Sequence, residues 1–177
     1  SRASGIIMAS NNALLMHNTI HNVSSAAITA GDYYASFSES PFGSNISIYS
    51  NSIDRAGLSH RTVSGGQWGG GGAIRISGWR GNLPSTSGPV AYVHRNITIR
   101  ANTISTSGAP WLSMESGEPA LVADGVDGMV VADNTFCVAG LHPNTSRCTR
   151  CTAVHSSGNT CCGHGGADVS VPTPCIV

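Results

Sequence analysis

An octet that recurs four times constrains this chain more than any other feature. Its copies are Ala13–Ile20 (ALLMHNTI), Ile46–Ile53 (ISIYSNSI), Ile97–Ile104 (ITIRANTI) and Met129–Phe136 (MVVADNTF). The first, third and eighth positions are apolar, the sixth is always Asn (Asn18, Asn51, Asn102, Asn134), and the seventh is Ser or Thr. Apolar residues two apart share one face of a strand. Asn tolerates the left-handed conformation of a sharp bend without Gly. The β-branched residues that follow favour a second strand. Each octet therefore reads as strand, one-residue corner at the Asn, and strand.

A second short apolar segment precedes each octet: Gly5–Ala9, Ala26–Gly31, Gly72–Gly78 and Ala120–Gly125. Each coil then holds two strands before the corner and one after it. The shortest coil, Ile6 to Ile28, covers 22 residues, enough extended chain to go once round a triangular section. Periodic units of this size are the signature of a solenoid.

These Asn-x-Ile/Phe corners and the Gly-Ile-x-Ala and Gly-Ala-Ile-x-Ile segments resemble the repeats of the pectate-lyase-like superfamily, over roughly residues 3 to 138. The resemblance implies an all-β, right-handed parallel β-helix of about four to five coils, with an asparagine ladder of Asn18, Asn51, Asn102 and Asn134 at one corner. It implies a C-terminal portion of such a protein and speaks for the scaffold, not for a chemistry. The domain reading is a coil region at 1–138 and a cysteine-rich, disulfide-rich C-terminal cap at 139–177. Loops are inserted at 32–44, 54–71, 79–95 and 105–119.

The insertions recur at equivalent points of neighbouring coils, so they are expected to form two walls. Function on a repeat scaffold concentrates in such loops. One wall carries Tyr33, Tyr34, Trp79 and Arg80, the other Trp68 and Trp111. Aromatic rings suit the C–H faces of sugars and Arg binds their hydroxyls, so these five aromatics and Arg80 are candidate glycan contacts; equally, large rings pack loops down onto a scaffold. Hydrolysis of a glycan needs two carboxylates; Asp32, Glu39, Asp54, Glu115 and Glu118 lie on or beside the loops. A lyase needs a base and a cation, for which Arg55, His60, Arg61 and Arg80 are available. Asp32, Asp54, Arg55 and His60 are thus weak catalytic candidates. The clustered aspartates of a polygalacturonase-like or calcium-dependent lyase-like site are missing, and no cofactor or metal is expected.

Six cysteines, Cys137, Cys148, Cys151, Cys161, Cys162 and Cys175, suggest three disulfides with fifteen possible pairings. A zinc site using Cys148-x-x-Cys151 with Cys161, Cys162 or His164 is the weaker alternative. Sequons at Asn22, Asn45, Asn96 and Asn144 agree with an oxidising, extracellular compartment, secreted or cell-surface. The chain has nine basic and nine acidic residues and no net charge, which argues against nucleic acid as a charge-driven partner. No run of apolar residues is long enough for a membrane span.

With no initiator Met and no signal peptide, the chain reads as a fragment or a processed product. Its first coil needs a neighbour, either upstream coils or another copy of itself stacked end to end. Two functions follow as expectations. One is an extracellular structural or interaction module that contacts glycans. The other is the C-terminal part of a polysaccharide-degrading enzyme, a glycoside hydrolase or polysaccharide lyase, with its groove between the loops.

Overall fold

The computed structural model describes residues 5–8, 10–23, 26–30, 43–56, 73–77, 94–105, 120–137, 146–149, 151–162 and 173–174. Every regular element among them is a strand. The first coil contributes β1 (Ile6–Met8), β2 (Ala13–Met16) and β3 (Thr19–Val23). The second contributes β4 (Ile28–Ala30), β5 (Ser44–Tyr49) and β6 (Ser52–Ala56), and the third β7 (Ile74–Ser77), β8 (His94–Arg100) and β9 (Thr103–Ser105). The fourth supplies β10 (Leu121–Asp124), β11 (Val126–Ala132) and β12 (Thr135–Cys137). A further set follows: β13 (Ser146–Thr149), β14 (Thr152–Ser157) and β15 (Thr160–Cys161), then the short β16 (Thr173–Pro174).

The strands sort into three sheets visited in rotation. The first holds β1, β4, β7, β10 and β13 in that order; the second β2, β5, β8, β11 and β14; the third β3, β6, β9, β12 and β15. All these pairings are parallel, and only β16 pairs antiparallel, against β15 at the end of the third sheet. Three stacked parallel sheets, each taking one strand per turn, are compatible with a parallel β-helix. The register of Ile6 on Ile28 matches the expected shortest coil.

The octets align in space as they do in sequence. Ala13, Ile46, Ile97, Met129 and Val154 share one register, as do Ile20, Ile53, Ile104, Phe136 and Cys161. Their inner members form one core with those of the first sheet: Ile28, Ile46, Ile48, Ile53, Ile74, Ile76, Ile97, Ile99, Ile104, Leu121, Met129 and Phe136 are fully buried. β-branched Ile suits this position because its stiff side chain packs on the identical residue one rung away. Burying each contributes about 1.5–3 kcal/mol relative to exposure.

The bend is not made by the conserved Asn. The left-handed residue is the one before it: His17, Ser50, Ala101 and Asp133 have φ of 50–57°, and Gly158 has 62°. Asn18, Asn51, Asn102 and Asn134 are not among the positive-φ residues. The sequence expectation of a left-handed Asn is corrected by one position, and the reason for Asn lies in its side-chain bonding. A second left-handed point lies just before β2, at Asn12, and near the start of each later second-sheet strand, at Asn45, Asn96, Gly128 and Ala153. A third lies within the third sheet at Asn22 and Arg55, where the pairing skips from His21–Asp54 to Val23–Ala56.

Strand structure also reaches into the expected insertions. Residues 54–56 belong to β6, Ser105 to β9, Ser44 to β5, and residues 94–95 to β8. His94 is buried there, and its Nδ1 accepts a bond from the Gly43 backbone N–H at 3.1 Å. Beyond residue 138, β13 to β15 add a rung to each sheet rather than leaving them.

Candidate functional site

Two ladders of side-chain amides run along the stack. In the first, each Asn carbonyl accepts two bonds from the Asn of the preceding coil. Asn51 Oδ1 receives the backbone N–H and the side-chain amide of Asn18 at 3.0 and 2.9 Å. Asn102 Oδ1 does the same for Asn51, and Asn134 Oδ1 for Asn102. The ladder continues to a fifth member that the octet pattern did not reveal: Asn159 Oδ1 accepts from Asn134 at 3.0 Å twice. The other amide hydrogen of each reaches back to a carbonyl of the preceding coil: Asn51 to Leu15, Asn102 to Ile48, Asn134 to Ile99, Asn159 to Val131. A buried amide thereby satisfies its donors and its acceptor at once, as burial requires.

The second ladder lies on the exposed corner and runs the opposite way. Asn96 Nδ2 donates to Asn45 Oδ1 at 3.0 Å, and Asn45 Nδ2 donates to Asn12 Oδ1 at 2.9 Å. Two of the three sequon asparagines within the described residues are therefore members of this ladder. All three sit at left-handed φ, a conformation that by itself favours Asn. Among the described residues, the side chain of Asn22 bonds its neighbour His21, Nδ2 to Nδ1 at 3.1 Å.

The outer face of the third sheet brings several polar side chains into register. Thr19, Ser52, Thr103, Thr135 and Thr160 form one row, and His21, Asp54, Ser105 and Cys137 the row beside it. Asp54 accepts from Arg55 Nε at 3.0 Å and from Ser105 Oγ at 2.9 Å, and stands in register with His21. Asp54 and Arg55, named separately as weak catalytic candidates, bond each other. They form a partly exposed ion pair, of the kind worth about 0–1 kcal/mol.

The remaining candidates fall outside the described residues: Asp32, His60, Tyr33, Tyr34, Trp68, Trp79, Arg80, Trp111, Asn144 and Cys175, with Glu39, Arg61, Glu115 and Glu118. Among the described residues, no second carboxylate accompanies Asp54 on its row, and no group of three or more His, Cys, Asp or Glu is arranged to hold a metal.

The cysteines form disulfides. Cys137 at the end of β12 bonds Cys162 one coil later, with Cα atoms 4.6 Å apart. Cys148 bonds Cys151 across the corner between β13 and β14, which removes both thiolates from the alternative zinc set. Cys161 is disulfide-bonded as well. Disulfide-bonded cysteines are consistent with an extracellular location. No helix long and apolar enough to cross a membrane is present among the described residues.

Comparisons with protein-family profiles, with curated proteins and with solved structures find no match to the chain.

Proposed function

We propose that the chain is a secreted structural or interaction module: a right-handed parallel β-helix of the pectate-lyase-like kind, glycosylated and able to contact glycans through its inserted loops. The observation that carries this reading is the commitment of polar side chains to coil-to-coil bonding. Asn12, Asn18, Asn45, Asn51, Asn96, Asn102, Asn134 and Asn159 all bond between coils. Such side chains build a scaffold rather than a reacting centre. Handedness is supported by the general rule that parallel strands joined by a crossover in one sheet turn right-handed in about 98% of cases.

Glycosylation follows the same logic. The sugar is attached at Nδ2, which Asn45 and Asn96 use in the exposed ladder. Asn22 lies outside that ladder and is the sequon of the described set that a glycan occupies at least structural cost. Peptide mass mapping of the secreted protein reads this directly.

A second reading, a polysaccharide-degrading enzyme, is favoured by one observation: the carboxylate of Asp54 is oriented by Arg55 and Ser105 on an outer face beside His21. Assay against acidic and neutral polysaccharides separates the two. The structural reading expects no turnover. Turnover by the unaltered protein that is lost in both Asp32→Asn and Asp54→Asn would overturn it.

A further inference from the structure

β5 and β8 begin at the ends of the segments 32–44 and 79–95, and Gly43 and His94 meet there. The His94 ring belongs to a residue only 1% exposed, and its Nδ1 accepts the Gly43 backbone N–H at 3.1 Å. The next residue holds the other side of the same glycine: the Arg95 backbone N–H donates to the Gly43 carbonyl at 3.1 Å. His94 donates its own backbone N–H to the Gly125 carbonyl of the fourth coil at 2.8 Å. One histidine thus ties the second, third and fourth coils together at the seam between the first and second sheets. The fit is close, because a Cβ at residue 43 would collide with the buried Ile46 side chain and crowd the Ser10 carbonyl.

A ring nitrogen that accepts a backbone N–H carries no proton. Neutral His94 therefore satisfies the Gly43 amide with Nδ1 and keeps its proton on Nε2. The imidazolium has an N–H on both nitrogens and no acceptor. It would turn an N–H toward the N–H of Gly43, and it would place a charge in an enclosed site. Folding and protonation of this ring oppose each other. The elements packed around it carry four charged residues. Arg95 is exposed on β8 itself, and Arg75 on β7 alternates with buried Ile74 and Ile76. Asp127 on β11 is exposed and accepts from Thr152, and Asp124 ends β10. β2, β4 and β5 carry no charged residue.

We infer that His94 is an acid-sensitive latch: a proton on its ring breaks the bond to Gly43 and releases the start of β5 from the start of β8. Histidine is the side chain whose ordinary titration falls between pH 5 and 8. The direction follows from which state takes the proton first. The unfolded chain binds it below about pH 6.5, whereas the folded chain resists it. Stability held by the Gly43–His94 bond is complete above that pH. It is lost progressively as the pH falls from there toward the point at which the folded ring is protonated. The latch is independent of whether the chain is a scaffold or an enzyme.

The test compares urea unfolding of the unaltered protein and of His94→Gln across this pH range. The Gln amide oxygen accepts the Gly43 N–H and does not titrate, and the remaining histidines cancel between the two proteins. For one proton bound by the unfolded chain alone, the unfolding constant of the unaltered protein is expected to rise about 10- to 30-fold relative to the variant between about pH 7.5 and 5. Hydrogen exchange localises the effect: on acidification the Gly43 amide loses protection in the unaltered protein and keeps it in His94→Gln. The same pH dependence in both proteins would overturn the inference. A titration of the His94 ring followed by nitrogen NMR needs no variant. Protonation of the folded ring above about pH 6.5 with the Gly43 amide still protected would overturn it as well, and would assign the charge to stabilisation by Asp124 or Asp127.

Discussion

Asn102 shows how much one amide does in this fold. It is 1% exposed, accepts the backbone N–H and amide of Asn51, and donates to Asn134 and Ile48. Removing it by Asn102→Ala strands two donors of Asn51 in the core. Each unsatisfied buried group costs about 1–3 kcal/mol, so the variant is expected to lose about 3–5 kcal/mol in urea unfolding. Asn18→Ala, in the first coil, strands no such pair among the described residues and should lose less than half as much. The neighbouring residue carries the opposite opportunity. Ala101 has φ of 54°, a conformation that costs a residue with a Cβ roughly 1–2 kcal/mol. Ala101→Gly relieves that strain at some cost in chain entropy, and a net gain of about 0.5–1 kcal/mol is expected from the same measurement. The invariance of the octet's sixth position was legible in the letters, but its cause was not. A corner allows Asn for conformation or for bonding, and only the positions of the neighbouring coils decide between them.

At the scale of elements, the coils that follow the apolar rule were readable and the one that breaks it was not. β1, β4, β7 and β10 fall within the predicted segments, and the octets divide at the corner into second-sheet and third-sheet strands. The fifth coil keeps the Asn159–Thr160 pair but places Ser156 where the others have an aliphatic residue and Cys161 where they have Ile or Phe. Its second-sheet strand, β14, is exposed at every position. Little apolar burial holds it, so cross-links must. Cys137–Cys162 joins it to the fourth coil, closing a loop of sequence separation 25. A cross-link over a loop of that length contributes about 3 kcal/mol by restricting the unfolded chain. Replacing both residues, Cys137→Ser with Cys162→Ser, is expected to speed amide exchange in β13 to β15 roughly 100-fold. The amides of β5, β8 and β11 should keep their protection. Uniform loss of protection would mean that the fifth coil unfolds with the rest rather than ahead of it. The row of His21, Asp54 and Ser105 was only half visible from sequence. Asp54 and Arg55 are neighbours in the chain, whereas the other two are 33 and 51 residues away by way of the coil pairings.

Across the whole molecule, stability is expected to depend on stacking and amide bonding and very little on charge. Nine basic and nine acidic residues are few for a chain of 177 residues. The ion pairs among the described residues, Arg55–Asp54 and Arg100–Asp133, have side chains between 29% and 56% exposed. Pairs of that exposure contribute little, and salt screens what they contribute. The inner amide ladder and the isoleucine stack are neutral and mostly buried, and the outer ladder, though exposed, is neutral, so added ions have little charge there to screen. Raising NaCl from about 0.05 to 0.5 M is therefore expected to shift Tm by less than about 2 °C. The same change applied to Asn102→Ala should leave the difference from the unaltered protein intact, because the bonds lost there are between uncharged groups. A Tm that falls steeply with salt would instead assign the cohesion of the stack to surface charge. The two arginine–aspartate pairs would then have to be tested directly, by Asp133→Asn and Asp54→Asn, as the sources of the effect.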